Sequence, residues 1–256
     1  MASRLDFTGK RILITGASRG IGRACAVEFA ALGGTVAVHY GSNRTAAEAA
    51  LAALPGQGHI LVQADIADAE AVRRMVDQAH AGLGRIDVLV CNAGIFDAHP
   101  LPEVGYDAWQ SAWGRVLGTN LIGAANAIYC AAQYMMAEGG GKIITISSRT
   151  AFRGKPEAPA YAASKAGLNA LSQSLAQALA PHGIYVYVVA PGVVETDMAA
   201  PDKDTPAWEA IQRQSPLGRV CQPEEVAYTV AFLASPGTEY LTGSIVDLFG
   251  AAYLRT

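Results

Sequence analysis

The sequence is poor in charged residues, which make up 16% of its 256 positions, and its formal net charge is only −3. Soluble domains usually contain about 25% charged residues. The small net charge gives no electrostatic argument for binding nucleic acid or an anionic membrane. The low charged fraction predicts that other elements of the fold, or partner subunits, cover part of the surface.

Cysteine is also scarce, and the four residues of this type form no CxxC pair. Three of them lie in apolar periodic segments, so we expect buried free thiols in a reducing compartment. The first six residues lack the apolar stretch of a signal peptide, and no apolar run approaches the ~18 residues of a transmembrane helix. We therefore expect a cytoplasmic location. The five histidines are scattered without HExxH spacing, so we expect no catalytic metal.

Short apolar strands alternate with helices along the whole chain. The predicted strands cover 11–14, 35–38, 60–62, 86–90, 142–146, 184–189 and 245–248. The predicted helices cover 21–32, 45–54, 68–81, 113–137, 161–179 and 223–233. Continuous apolar strands indicate that both faces of the sheet are covered, and intervening helices indicate right-handed crossovers. The sequence thus predicts one α/β domain over 1–256, with about seven parallel strands and helices on both faces. Residues 197–215 are predicted to be irregular, as a substrate loop or a plain surface excursion.

A glycine-rich turn follows the first predicted strand. Gly16 permits a tight turn, Gly20 lets the backbone approach a pyrophosphate, and Gly22 allows the next helix to pack closely on the strand. The helix N-terminus then offers free N–H groups to phosphates. Glycines also serve ordinary turns, but the strand–turn–helix context predicts dinucleotide binding.

Tyr161 and Lys165 are four residues apart, which places both side chains on one face of a predicted helix. An ammonium near a phenol favours the phenolate, so we expect Lys165 to lower the pKa of Tyr161 toward a useful acid–base range. Ser148 precedes Tyr161 by 13 residues. Ser148 is therefore the candidate serine partner of Tyr161. Ser147 is the alternative candidate, although its side chain should face the other way on an extended segment.

Together these motifs resemble the short-chain dehydrogenase/reductase family over essentially the whole chain. The turn matches TGxxxGxG, and the segment 91–94 resembles NNAG with Cys91 in place of the first Asn. The pair 65–66 resembles residues that contact adenine, and 191–196 resembles PGxxxT. The resemblance implies a Rossmann fold and a nicotinamide dinucleotide. The predicted cofactor contacts are Gly16, Ser18, Arg19, Gly20, Ile21, Gly22, Tyr40, Ser42, Asn43, Arg44, Asp65, Ile66, Asn92, Ala93, Gly94, Tyr161, Lys165, Pro191, Gly192, Val194 and Thr196.

The same resemblance implies four catalytic residues. Ser148 would polarise the substrate carbonyl, and Tyr161 would donate a proton to its oxygen. Lys165 would hold the nicotinamide ribose and tune Tyr161. Asn120 would support a water-linked proton path to Lys165, with hydrogen bonding at a helix bend as the alternative. The cofactor would supply the hydride.

The segment after the second strand predicts a preference for NADP(H). Residues 38–44 contain no acid that could bind a ribose 2′-hydroxyl. Arg19, Ser42 and Arg44 could instead meet a 2′-phosphate through charge-assisted hydrogen bonds. The alternative is that both arginines are solvated surface charges.

The motifs define the chemistry better than the substrate. They resemble most closely the 3-oxoacyl-[acyl-carrier-protein] reductase group, with sugar, steroid or xenobiotic alcohol dehydrogenases and a non-catalytic dinucleotide sensor as alternatives. Arg153 and Lys155 either attract an anionic acyl-carrier thioester or are solvated. The resemblance also implies a homotetramer, and the alanine-rich stretch 124–137 and the apolar tail 253–254 suit its contacts. Phe249 precedes Gly250 where the family often has Asn, a departure at the C-terminal interface.

Overall fold

The computed structural model describes residues 5–199, 203 and 205–255. Seven parallel strands form one sheet in the order β3-β2-β1-β4-β5-β6-β7. The strands are β1 (Arg11–Ile14), β2 (Thr35–Tyr40), β3 (Ile60–Gln63), β4 (Val88–Cys91), β5 (Gly141–Ile146), β6 (Ile184–Pro191) and β7 (Ile245–Leu248). The order reverses between β1 and β4. Ligands of doubly wound sheets bind at the carboxyl ends of the strands beside such a point.

Helices cover both faces of this sheet, as predicted. They are α1 (Gly20–Ala31), α2 (Arg44–Ala52), α3 (Ala69–Leu83), α4 (Tyr106–Leu117), α5 (Gly123–Ala137), α6 (Thr150–Arg153), α7 (Pro159–Leu179), α8 (Pro206–Gln212) and α9 (Pro223–Ala234). Successive strand residues point to opposite faces. Ile12 and Ile14 therefore pack under α1 and α9, whereas Leu13 packs under α3 and α5. The predicted single α/β domain is confirmed.

The helix predicted over 113–137 is two helices joined by a π-helical turn. The first begins earlier, at Tyr106, and the turn spans Gly118–Ile122. Asn120 lies in this turn, and its side chain binds both backbone polar groups of Ile95. A π-turn inserts one residue into the helical repeat, which directs the Asn120 side chain inward. Apolar periodicity continues across the turn and conceals it.

The segment predicted to be irregular over 197–215 contains a short helix, α8, so this prediction is wrong in part. Thr205 caps the helix, because its Oγ1 accepts the N–H of Trp208 at 3.2 Å. Trp208 is buried and anchors the segment. Seven residues are too few for helical periodicity to stand out. Residues 200–202 and 204 of this segment lie outside the described residues.

All four cysteines are free, as expected, but only two of them are buried. Cys25 and Cys91 are fully enclosed, and burial raises the pKa of each thiol to about 12. Cys130 and Cys221 are partly exposed. In the part of the chain that the structure describes, no helix is long and apolar enough to cross a bilayer.

Candidate active site

The glycine-rich turn between β1 and α1 has a shape that other residues would not allow. Gly16 and Gly20 have φ angles of +64° and +53°, in the left-handed region that favours glycine. A Cβ at Gly22 would lie 2.3 Å from the carbonyl oxygen of Gly16. The first N–H groups of a helix have no intrahelical partner, and the N-cap residue Arg19 makes no side-chain hydrogen bond to those of α1. This arrangement fits the pyrophosphate of a dinucleotide.

His39, one of the five scattered histidines of the sequence, holds this turn. Its Nδ1 accepts the N–H of Gly16 at 3.0 Å, and its Nε2 lies 3.2 Å from the carbonyl oxygen of Ala64. Because Nδ1 accepts, Nε2 carries the proton and donates to Ala64. Burial lowers the pKa of His39, which keeps the imidazole neutral. One ring therefore links the glycine turn to the segment leading into Asp65.

Asn92 braces the same turn from the end of β4. Its side-chain amide donates to the carbonyl oxygens of Thr15, at 3.0 Å, and Gly16, at 2.9 Å. The backbone N–H groups of Asn92 and Ala93 both donate to Thr15 Oγ1 at 3.0 Å. A Cβ at Gly16 would lie 2.9 Å from the Cα of Ala93. The two predicted cofactor motifs thus form one interlocked unit.

The residues predicted to select NADP(H) lie beside this turn, but several already have partners. Arg44 Nε donates to Glu48 at 2.8 Å, and Asn43 caps α2 by accepting the N–H of Ala46 at 2.9 Å. Arg19 pairs loosely with Asp197 at 4.0 Å, and both side chains are more than 70% exposed. Tyr40 is buried and Ser42 is exposed. These two ion pairs are exposed and weak enough to exchange for a phosphate.

The predicted adenine-contacting pair follows β3. Asp65 accepts the backbone N–H of Ala67 at 3.0 Å, which forms a tight local turn. Ile66 is buried, and a Cβ at Gly123 would lie 2.3 Å from the Ile66 carbonyl oxygen. The start of α5 therefore packs directly against the backbone of Ile66 and positions this pair at the edge of the sheet.

Ser148 and Ser147, at the carboxyl end of β5, face opposite ways. Ser147 Oγ donates to the carbonyl oxygen of Lys165 at 3.3 Å. Ser148 Oγ accepts from the backbone N–H of Thr150 at 3.2 Å and from its hydroxyl at 3.0 Å. The Ser148 side chain also hydrogen-bonds the Tyr161 hydroxyl. Of the two serines, Ser148 is the one that meets the tyrosine.

Tyr161 and Lys165 share one face of α7, as their spacing predicts. The Lys165 ammonium lies 5.8 Å from the centroid of the Tyr161 ring and donates to the carbonyl oxygen of Ile146 at 2.8 Å. Burial lowers the pKa of Lys165 to about 8. The edge of Phe96 contacts Tyr161, with ring centroids 5.3 Å apart.

The expectation that Lys165 lowers the pKa of Tyr161 is wrong in this structure. Burial raises the pKa of Tyr161, and the hydrogen bond with Ser148 offsets only part of that effect. The ammonium lies against the ring and is directed to a backbone carbonyl, so it does not hydrogen-bond the phenol. Tyr161 is therefore protonated at neutral pH, the state that a proton donor requires.

Asn120 joins the groups on the two sides of the site. Besides its contacts with Ile95, its Nδ2 donates to Ser164 Oγ at 3.2 Å. A Cβ at Gly94 would lie 3.3 Å from Asn120 Oδ1 and 3.5 Å from Lys165 Nζ. Glycine at position 94 thus leaves room between the amide and the ammonium. Asn120 thus makes the hydrogen bonds of the helix bend and also lies close to Lys165. Its two predicted roles do not exclude each other.

The PGxxxT-like segment closes the other side of the site. Pro191 ends β6, and the N–H of Gly192 donates to the carbonyl oxygen of Leu248 at 2.9 Å. Val194 forms a bridge with Cys221. A Cβ at Gly20 would lie 3.3 Å from Thr196 Cγ2, so the segment returns to the glycine turn. The predicted site residues therefore lie along one row of strand ends.

Comparisons with known proteins agree with this geometry. Residues 16–248 match the family described as enoyl-(acyl carrier protein) reductase. The chain is 38% identical over 247 residues to the 3-oxoacyl-[acyl-carrier-protein] reductase FabG of Staphylococcus aureus, covering 96% of this chain and 98% of that protein. It is 37% identical over 251 residues to the L-rhamnose 1-dehydrogenase (NAD(P)(+)) of a Sphingomonas species, covering 96% and 97%. A solved short-chain dehydrogenase/reductase variant from Serratia marcescens is 35% identical, with a TM-score of 0.88 and coverage of 96% and 98%.

The chain belongs to the short-chain dehydrogenase/reductase family. It is an oxidoreductase that acts on a CH–OH or C=O group with a nicotinamide dinucleotide. Within residues 5–199, 203 and 205–255, no three His, Cys, Asp or Glu side chains are grouped to hold a metal ion.

Proposed function

We propose that this enzyme is an NADPH-dependent carbonyl reductase that acts on 3-oxoacyl thioesters. The observation that supports the direction of reaction is the half-buried, protonated Tyr161 in contact with Ser148, since reduction of a carbonyl needs a proton donor at the oxygen. The 38% identity to 3-oxoacyl-[acyl-carrier-protein] reductases supports the substrate class.

The proposed roles are those that the family resemblance implies, and the contacts of each side chain are compatible with them. Tyr161 gives its proton to the substrate oxygen, and the Ser148 hydroxyl polarises the same oxygen. Lys165 holds the nicotinamide ribose and replenishes the proton, with Asn120 ordering the path between Lys165 and solvent. The nicotinamide supplies the hydride when it is bound. The phosphates are held by the turn 16–22, the adenine by 65–66, and the nicotinamide side by 92–94 and 191–196.

NADP(H) preference rests on the charge at the end of β2. Residues 38–44 contain no carboxylate, and Arg19 and Arg44 are the nearby cations. A dianionic 2′-phosphate would compete with Glu48 for the Arg44 guanidinium. Exposed i,i+4 ion pairs are weak, so this exchange costs little.

A homotetramer is the proposed assembly, because two separate surfaces carry exposed apolar side chains. Ile122 and Tyr129 project from the α5 region, and Tyr228, Phe232 and Tyr240 lie near α9 and the edge strand β7. Two different self-complementary interfaces produce a tetramer. The segment 197–215 is proposed as the substrate loop, and a cytoplasmic location stays a prediction.

Sugar oxidation is the second candidate, because a relative that is 37% identical is an L-rhamnose 1-dehydrogenase. The two functions differ in substrate and direction. Initial rates should be measured for 3-oxoacyl thioesters with NADPH and for L-rhamnose with NADP⁺ and NAD⁺. The proposal predicts kcat/KM for the thioester at least about 100-fold above that for the sugar. A higher value for the sugar would reject the thioester assignment.

A further inference from the structure

A cavity of about 140 Å³ lies at the carboxyl ends of β6 and β7, beside the end of α8. Its walls are largely apolar and include Val193, Leu217, Leu248 and Phe249. None of the four proposed catalytic residues lines it. Gly192 of the predicted cofactor contacts and Ser215 of the proposed substrate loop do line it, so the cavity adjoins the reaction site.

Arg149 lines this cavity and is only 7% exposed. Among the described residues, no carboxylate or carbonyl oxygen is hydrogen-bonded or ion-paired to its guanidinium, whose nitrogens are not fully enclosed. Burial lowers the pKa of Arg149, and the charge of Arg153 lowers it further. Arginine is rarely buried without a partner, because an uncompensated buried charge is strongly unfavourable. An anion in the cavity would stabilise this guanidinium.

The other charged residues of the cavity neutralise each other. The Arg219 guanidinium donates to both carboxylate oxygens of Glu225, each at 2.7 Å. The hydroxyl of Ser215 is also engaged, since it donates to the carbonyl oxygen of Gly250 at 2.6 Å. Arg149 thus contributes the single positive charge that the described cavity residues leave uncompensated.

We propose that this cavity binds an aliphatic monocarboxylate through Arg149. A planar guanidinium matches a carboxylate in two parallel hydrogen bonds. One negative charge balances Arg149, whereas a phosphate dianion would place excess negative charge near Glu225. The apolar walls suit a short hydrocarbon tail. A cavity of about 150 Å³ accommodates benzene, so a ligand of about six non-hydrogen atoms is expected.

Butanoate has this size and is the probe for the experiment, with butanamide as its neutral counterpart. Binding to the full chain is measured by calorimetry and by the shift in Tm. We expect butanoate to bind and raise Tm, and butanamide to do neither. Arg149→Met should weaken butanoate binding at least about 10-fold. Arg153→Met, which removes a neighbouring charge outside the cavity lining, should change it less than about twofold.

Arg149→Met removes a buried unpaired charge, so it should fold with an unchanged or higher Tm. If that variant fails to fold, Arg149→Lys keeps the charge without the planar fork and should still weaken butanoate binding at least about fivefold. Equal butanoate affinity in the wild type and the folded Arg149 variant would overturn the proposal, as would no binding to the wild type. So would a structure in which a carboxylate of a second copy of the chain occupies the cavity.

The monocarboxylate has two possible sources, a free metabolite or a carboxylate carried by the enzyme's own substrate. Inhibition by butanoate that is competitive with the carbonyl substrate assigns the site to the substrate. Non-competitive behaviour, lost in Arg149→Met, assigns it to a separate ligand. Both results support the site, and the inference does not depend on which carbonyl compound is reduced.

Discussion

The two halves of the site are built in different ways. The cofactor half, around the glycine turn, is shaped by backbone geometry, and its charged side chains are exposed ion pairs such as Arg44 with Glu48. The proposed catalytic half depends on buried side chains, and burial shifts the pKa of both Tyr161 and Lys165. Substitutions in the first half should therefore alter affinity, whereas those in the second should alter chemistry and stability together.

A large effect on turnover is expected from one of the two serines at the end of β5. Ser148→Ala removes the hydroxyl that meets Tyr161, and kcat should fall at least about 100-fold, the magnitude of one lost oxyanion donor. Ser147→Ala is the matched control, because its hydroxyl donates to a backbone carbonyl. It should keep kcat within about threefold. Equal losses in the two variants would contradict the assignment.

Lys165→Met should inactivate the enzyme and yet stabilise the fold. Lowering the pKa of Lys165 from 10.5 to about 8 corresponds to about 3 kcal/mol of unfavourable burial, and the lost bond to Ile146 offsets about 1 kcal/mol. Tm at pH 7 should rise by about 4 °C. Arg44→Met, in the exposed half, should leave Tm nearly unchanged. A lower Tm for Lys165→Met would show that the ammonium is not destabilising.

The unfolding free energy of the wild type should also increase when Lys165 loses its charge at high pH. Lys165 binds fewer protons in the folded state than in the unfolded state between pH about 8 and 10.5. Its contribution to stability therefore increases as pH rises through that window. Lys165→Met should lack this increase, which urea denaturation at several pH values would measure.

Arg44→Ala tests the proposed NADP(H) preference. The KM for NADPH should rise about 10-fold through loss of a charge-assisted phosphate contact, while the KM for NADH should stay the same. Arg74→Ala removes an exposed arginine from α3, away from the site, and serves as the control. Equal changes in the KM for NADPH and the KM for NADH would show that Arg44 does not select between the two cofactors.

The smallest expected effect concerns His39, a buried side chain that holds the glycine turn. Its pKa is lowered in the folded state, so its contribution to stability is present above the unfolded pKa of about 6.5 and is lost as pH falls below that value. Protonation of Nδ1 also removes the acceptor for Gly16. The KM for the cofactor should rise about fivefold at acidic pH, the value of one hydrogen bond.

His39→Asn should flatten this pH dependence, because an amide oxygen accepts a hydrogen bond at any of these pH values. His59→Asn is the matched control, since His59 Nδ1 also accepts a backbone N–H, that of Val36, away from the glycine turn. If the KM of His39→Asn for the cofactor still rises at acidic pH as in the wild type, the pH dependence belongs to another group.

The sequence predicted the sheet and the glycine turn because both depend on local patterns. Apolar runs mark strands, and Gly16, Gly20 and Gly22 mark a turn whatever lies beyond it. The π-turn at Asn120 and the role of His39 depend on contacts with the distant backbone groups of Ile95, Gly16 and Ala64. The spacing of residues along the chain does not show which distant backbone groups a side chain will contact.

The direction of the Tyr161 pKa could not be predicted for a related reason. Helical spacing correctly put Lys165 on the same face, but spacing does not say where the ammonium is directed or how deeply the phenol is buried. Both facts come from packing against Ile146 and Phe96. The local motif identified the pair, and the tertiary environment determined its protonation state.

Tyr161→Phe tests the central claim most directly, in single-turnover reduction of a 3-oxoacyl thioester by enzyme saturated with NADPH. We expect a rate at least about 1000-fold below wild type, with the Kd for NADPH and Tm nearly unchanged, because only the proton donor is lost. A folded, cofactor-bound variant that reduces the thioester at near wild-type rate would contradict it.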